Sequence, residues 1–184
     1  ARSRAEFEKL GANLIMVSPQ TPDKAGMQEG DGRVRPLTVE EGERIFRVAS
    51  GLDAWAAEVR DTSALAVRGK YSSDVEIHGI QPSFTDLRNF RVSSGRLLSD
   101  ADLDETARIC ALGSEIAEEL FDPGQDPGGQ EVVLDMANDA SAKAGAPGAG
   151  GLRCRVIGVL ASKGQASWIN FDRYVLMPLT TAQR

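Results

Sequence analysis

Histidine is nearly absent from this chain, with one in 184 residues, and that scarcity removes most catalytic and metal-binding arrangements at the outset. A Ser/His or Cys/His nucleophile pair would have to use His78 itself, and clustered imidazole ligands for zinc do not exist. Cysteine is scarce too. Cys110 and Cys154 both lie in apolar, strand-like runs, where such residues read as small buried hydrophobes; an oxidising compartment would leave a disulfide open. Aromatic residues make up only 5%, too few for stacking platforms along a single-stranded nucleic acid. Positive charge is in deficit, 21 Lys and Arg against 27 Asp and Glu for a net charge of −6, so a general phosphate-binding surface is excluded and no nucleic-acid partner is expected.

Long apolar runs are missing as well. None approaches the roughly 18 residues of a membrane helix, and the first residues lack a signal-peptide pattern. Phosphate-cradling and nucleophile motifs are absent: Gly69-Lys70 continues into Tyr71, and Gly113-Ser114 lacks the G-x-S-x-G context. The glycines of 145–151 are interrupted by Pro147 and follow no parallel-strand unit, so they make no dinucleotide turn. Asp100, Asp102, Asp104 and Glu105 cluster, but without the glycine and distal glutamate of a calcium loop; acids at a helix start read as caps. His78 shares an alternating run with Glu76 and Asp74 and reads as a half-exposed strand residue. No catalytic, cofactor-binding or metal-ligating residue is expected, and no cofactor.

What is present is a chain of alternating short elements. The stretch Val75–Asp102 organises it: an alternating strand ends at Gln81-Pro82, a short helix shares Phe84 and Leu87 on one face, and a Gly95-Arg96 turn leads into an acidic cap. Before it, 2–10 reads as a short helix, Asn13–Val17 as a buried strand and 20–36 as a surface loop. Thr38 and Glu41 have capping-box spacing for a helix whose Ile45, Phe46, Ala49 and Leu52 share a face and whose Gly51 supplies a left-handed stop. Glu40 with Arg44 and Glu43 with Arg47 form i, i+4 pairs on its other face.

The alternation of 55–69 and of Val75–Gly79 predicts a hairpin, turned by Lys70–Ser73. Thr106–Leu112 is a strand stopped by Gly113, and Ser114 caps a helix with Ile116, Ala117, Leu120 and Phe121 inward. Glu131–Leu134, Cys154–Leu160 and Tyr174–Pro178 are further strands, with 137–151 a loop of Ala, Gly, Ser, Asp and Pro. Starting at Ala1 and stopping just past a strand-like segment, the chain reads as a piece of something longer. The fold class is α+β, with mixed β-sheets and few helices.

Five segments come in a familiar order: Leu10-Gly11-Ala12-Asn13-Leu14, the run Gly95-Arg96-Leu97-Leu98-Ser99-Asp100-Ala101-Asp102, the strand-to-helix Leu112–Phe121, Val156-Ile157-Gly158-Val159-Leu160, and Asp172–Pro178 followed by Leu179-Thr180-Thr181. Together they resemble the extracytoplasmic (periplasmic) core domain of MacB-type ABC transporter permeases, a group that includes the lipoprotein-release permeases and, more distantly, FtsX. The resemblance implies a domain inserted between the first two of four membrane helices, outside the inner (cytoplasmic) membrane. It implies a porter-like β-α-β subdomain built from both ends of the insert and a mixed-sheet lobe from its middle. Residues 1–69 would be the first porter half, with the second half missing, and 70–184 the lobe, with a flexible loop at 137–151.

The implied partners are the protein's own membrane helices, a separate cytoplasmic ATP-binding subunit or domain, a second permease in a homodimer or pair, and a periplasmic adaptor protein. The implied role is transmission of ATP-driven motion to a substrate or partner in export, efflux or lipoprotein release. A free-standing envelope binding or adaptor module is the alternative. A hydrolase using carboxylates, or Ser114 with His78, is the third reading.

Overall fold

The computed structural model describes residues 14–19, 37–67, 70–136, 151–166 and 169–183. Its first helix, α1 (Val39–Val48), begins where the side chains dictate: Thr38 accepts from the Glu41 amide while the Glu41 carboxylate accepts from the Thr38 amide. Two orphan amides are satisfied reciprocally. Glu43 pairs with Arg47, whereas Arg44 pairs with Glu41 rather than Glu40. The helix stops at Val48 because Ala49 is extended, and Gly51 takes its positive φ of 82° in the turn beyond, not at the cap itself.

The strands β1 (Glu58–Val67) and β2 (Lys70–Ile80) form the expected hairpin, but Lys70–Ser73 belong to β2, with Val67 paired to Lys70 at its end. The division expected at 69/70 therefore falls in the turn between two strands of one sheet. Next come α2 (Ser83–Leu87), β3 (Val92–Gly95), α3 (Asp100–Asp104), β4 (Ile109–Leu112), α4 (Ser114–Leu120), β5 (Glu131–Met136) and β6 (Leu152–Leu160). A two-stranded ribbon of β7 (Gln165–Ala166) and β8 (Ile169–Asn170), a 3-10 turn (Phe171–Arg173), β9 (Tyr174–Pro178) and α5 (Leu179–Ala182) complete the described chain.

Six strands close into a ring of hydrogen-bonded pairs. β6 runs parallel to β4, β4 antiparallel to β9, β9 parallel to β2, β2 antiparallel to β1, β1 antiparallel to β5, and β5 antiparallel to β6 again. β6 is long enough to take β5 along Leu152–Arg155 and β3 along Gly158–Leu160. Closure leaves β3 as the exposed margin, and removes the unpaired edge that an open sheet would offer to other chains.

Alternation sorts the strand residues into two cores. Val75 and Ile77, Cys110 and Leu112, Val132 and Leu134, Cys154 and Val156, Val175 and Met177 share the inward face, with Ile116, Leu120 and Phe121 of the α4 segment among them. The other face of β2, β4 and β9 carries Ile80, Ile109, Ala111, Tyr174 and Leu176, covered by Phe84, Phe90, Leu98 and Phe171. β4 and β9 are buried on both sides, which is why their sequences are continuous apolar runs. Gly95 must be glycine: its φ is 74°, and a Cβ there would collide with the Ile157 carbonyl.

Three local readings are corrected. Leu14–Pro19 is irregular rather than a strand, with Ile15, Met16 and Val17 exposed. β4 begins at Ile109, not Thr106, because Thr106 has a left-handed φ of 49°. Gly113 is the N-cap of α4, and Ser114 is its first residue without a side-chain capping bond. The helix expected at 2–10, the loop at 20–36 and, apart from Gly151, the flexible loop at 137–151 lie outside the described residues.

Candidate functional site

An open groove lies between Leu14–Pro19, α1 and the connection 51–60. Its volume is about 860 Å³, and Phe84, Leu179 and Gln183 reach its wall. No residue of α1 is buried. The helix is held against the connection at Gly42, where a Cβ would come within 2.6 Å of the Trp55 ring. Its periodic apolar face is thus largely uncovered: Ile45 and Val48 are exposed, Val48 by 85%, and Ile15 across the groove by 76%. An amphipathic helix gains most of its stability from covering that face, and exposed apolar residues gathered in one groove mark an interaction surface.

Beside the groove lies a polar cluster that the sequence did not reveal. His78 is 0% exposed, contrary to the half-exposed reading. Its ring stacks on Tyr174 with centroids 3.8 Å apart, and Phe84 packs at 6.2 Å. Nδ1 lies 2.5 Å from Glu58 Oε1. Nε2 lies 3.4 Å from Glu76 Oε2 without making a hydrogen bond, the sole buried side-chain polar atom so placed among the described residues.

The registers explain the gathering. Arg60 stands opposite His78 across the β1–β2 ladder, and Glu76 opposite Tyr174 across β2–β9. Glu58, two residues before Arg60 on the same face, accepts from the Arg60 guanidinium at 2.9 Å twice. Burial pushes the Glu58 carboxyl up, but hydrogen bonds from His78 and Arg60 outweigh it and hold the group at about 2. Burial, with Glu76 nearby, pushes the Tyr174 phenol up to about 12. No sequence signal marks this site, because the partners come from three strands and α2.

The other candidates are accounted for structurally. Asp102 accepts from Arg96 twice and from the Ser99 amide and hydroxyl, so it is the N3 member of a capping box. Asp100, Asp104 and Glu105 are exposed around it. Ser114 is not among the side chains ringing His78. Cys110 and Cys154 are free and buried in the inward core; burial pushes the Cys154 thiol up to about 12 and the Cys110 thiol well above its ordinary value. Asp172, also missed, accepts from the Ser162 hydroxyl and from the Lys163 and Gly164 amides at 2.7, 2.7 and 3.0 Å, which fixes the loop before β7.

The family model described as MacB-like periplasmic core domain matches residues 1–184. Among curated relatives, the macrolide export ATP-binding/permease protein MacB of Hyphomonas neptunium is 30% identical over 184 residues, 98% of this chain and 25% of that protein. MacB of Syntrophobacter fumaroxidans is 26% identical over 164 residues, 89% of this chain and 21% of its own. The chain thus spans about a quarter of the length of these relatives. The crystal structure of the periplasmic region of MacB from Actinobacillus actinomycetemcomitans aligns with a TM-score of 0.56 at 18% identity, over 76% of this chain and 54% of that one. The extracellular domain of the noncanonic ABC-type transporter YknZ from Gram-positive bacteria gives 0.59 at 20%, over 78% and 64%.

Proposed function

The chain belongs to the MacB-like periplasmic core domain family, and from that premise we propose that it is the extracytoplasmic part of an ABC transporter permease, transmitting ATP-driven motion of the membrane helices to a substrate or partner protein. The family is a transporter domain rather than a catalytic fold. The observation that carries the reading is the pairing of a closed strand ring with a lightly attached helix. The ring is braced on all sides by its ladders, whereas α1 meets the connection at Gly42 and Trp55 and buries no residue. A stiff body joined to a movable one is what hinge transmission requires.

The groove fits the same scheme. Residues before β1 form the first half of a porter-like unit, and a second half supplied by further chain covers Ile15, Ile45 and Val48. Leu179 and Gln183 line the groove, so chain continuing from there starts at its wall. The partners in this reading are membrane helices, a cytoplasmic ATP-binding domain and a second permease copy; the site is the outer side of the inner membrane.

The test uses the complete transporter with spin labels at Glu43→Cys on α1 and Arg153→Cys on β6, both exposed positions. The distance distribution between them is expected to differ between nucleotide-free and ATP-trapped states. An unchanged distribution would sink force transmission through this joint.

A further inference from the structure

The cluster around His78 sits where the connection from α1 enters the ring, since Glu58 is the first residue of β1. A neutral imidazole carries one N–H, so it can donate to Glu58 or to Glu76 but not to both. In this structure the close contact is with Glu58 at 2.5 Å, and Nε2 faces Glu76 at 3.4 Å with no hydrogen bond. Leaving a buried ring nitrogen unpaired is costly. A proton taken from solvent at Nε2 removes that cost, because the new N–H has a carboxylate before it. It also turns the Glu58 contact into an ion pair between β1 and β2.

We propose that His78 is a proton-operated clasp between β1 and β2, where the connection from α1 enters the strand ring, tightened when the compartment outside the membrane acidifies. The groups facing it are Glu58 and Arg60 from β1, Glu76 on β2, Tyr174 from β9, and beyond Phe84 the Arg88 guanidinium, 5.6 Å from that ring. Two carboxylates against Arg60 leave room for one more positive charge beside them. Burial does not forbid it: the ring is enclosed, but both of its nitrogens look onto carboxylates rather than onto hydrocarbon. Glu58 stays ionised at any pH at which His78 would gain its proton, because its own carboxyl is held at about 2. The clasp rests on the extracytoplasmic placement proposed above, and it can fail while the transport role stands.

The experiment follows the one imidazole in the 184-residue chain by NMR between pH 5 and 8, and in the same samples measures amide hydrogen exchange along 58–61, corrected for intrinsic rates. Acidification is expected to protonate both ring nitrogens and to slow β1 exchange by about tenfold, the factor that corresponds to 1.4 kcal/mol. Glu58→Gln keeps the titrating ring but removes its anion on β1, and should erase the slowing. Glu76→Gln, at a half-exposed side chain that tolerates the change, should weaken it. His78→Gln serves as the third arm if it folds. An imidazole that does not titrate in this range overturns the proposal. So does titration without added protection of 58–61, or the same added protection in Glu58→Gln.

Discussion

Arg96 and Asp102 meet through two hydrogen bonds of 2.6 and 2.8 Å, and the same carboxylate accepts from the Ser99 amide and hydroxyl. The pair ties the margin strand β3 to the start of α3. Replacing Asp102 by Ala removes a helix cap and a charge-assisted pair together, at a cost of about 2–3 kcal/mol. Urea unfolding should show the loss, and Arg96→Ala, whose side chain is half exposed, should cost less.

Acid sensitivity follows from the same carboxylate and from Glu58. Hydrogen bonds from Arg96 hold Asp102 well below its ordinary 3.8, against the opposing push of burial; those from His78 and Arg60 overcome burial to hold Glu58 at about 2 instead of 4.5. A lowered folded value means stability that is complete above the ordinary value and is lost as pH falls toward the folded one. Stability from these two groups should therefore be flat above pH 5 and decline below about 4.5. Equilibrium unfolding of Glu58→Gln between pH 5 and 2 should show a shallower decline than the parent chain.

The two thiols should be silent in the folded protein. Cys110 and Cys154 are buried, and their raised values keep them protonated at neutral pH. Register places Cys110 opposite Val156, so Cys154 is two residues away along the neighbouring strand, a diagonal of roughly 7–8 Å that exceeds ordinary disulfide reach. A thiol reagent should count no reactive cysteine under native conditions and both in denaturant, even after exposure to oxidised glutathione.

Gly42→Ala tests how α1 is held. Alanine improves helix propensity by about 1 kcal/mol, yet its methyl meets the Trp55 ring. The contact should win in place but not in solution: α1 amides should lose exchange protection while the ring strands keep theirs. A uniform gain in protection would show that Trp55 yields without cost.

Thr106 carries a β-branched side chain at φ 49°, a conformation that asparagine tolerates better. Thr106→Asn should raise the midpoint of thermal unfolding by a few degrees, as about 0.5–1 kcal/mol of relieved strain does in a domain of this size.

Local chemistry was legible wherever a side chain acts on its own neighbours. Thr38 with Glu41, the Pro82 corner, the acids of α3 and the apolar runs of β4 and β9 all appear where spacing puts them, because caps and alternation are short-range rules. The family order of segments was legible for the same reason. Closure was not, since β2 with β9 and β1 with β5 pair residues far apart in the chain. Burial of His78 depends on those pairings and on Phe84 arriving from α2. The run Ile15–Val17 misled in the opposite sense: an apolar composition states a preference for cover, and among the described residues the cover is thin.

The ring also sets an order of assembly. β9 stands between β2 and β4, joined to both, yet it follows every other strand of the ring in the sequence. Until residues 174–178 emerge during synthesis, β2 and β4 present bare ladders to whatever is near, so the ring stays adhesive and incomplete until they pair. β9 acts as its keystone.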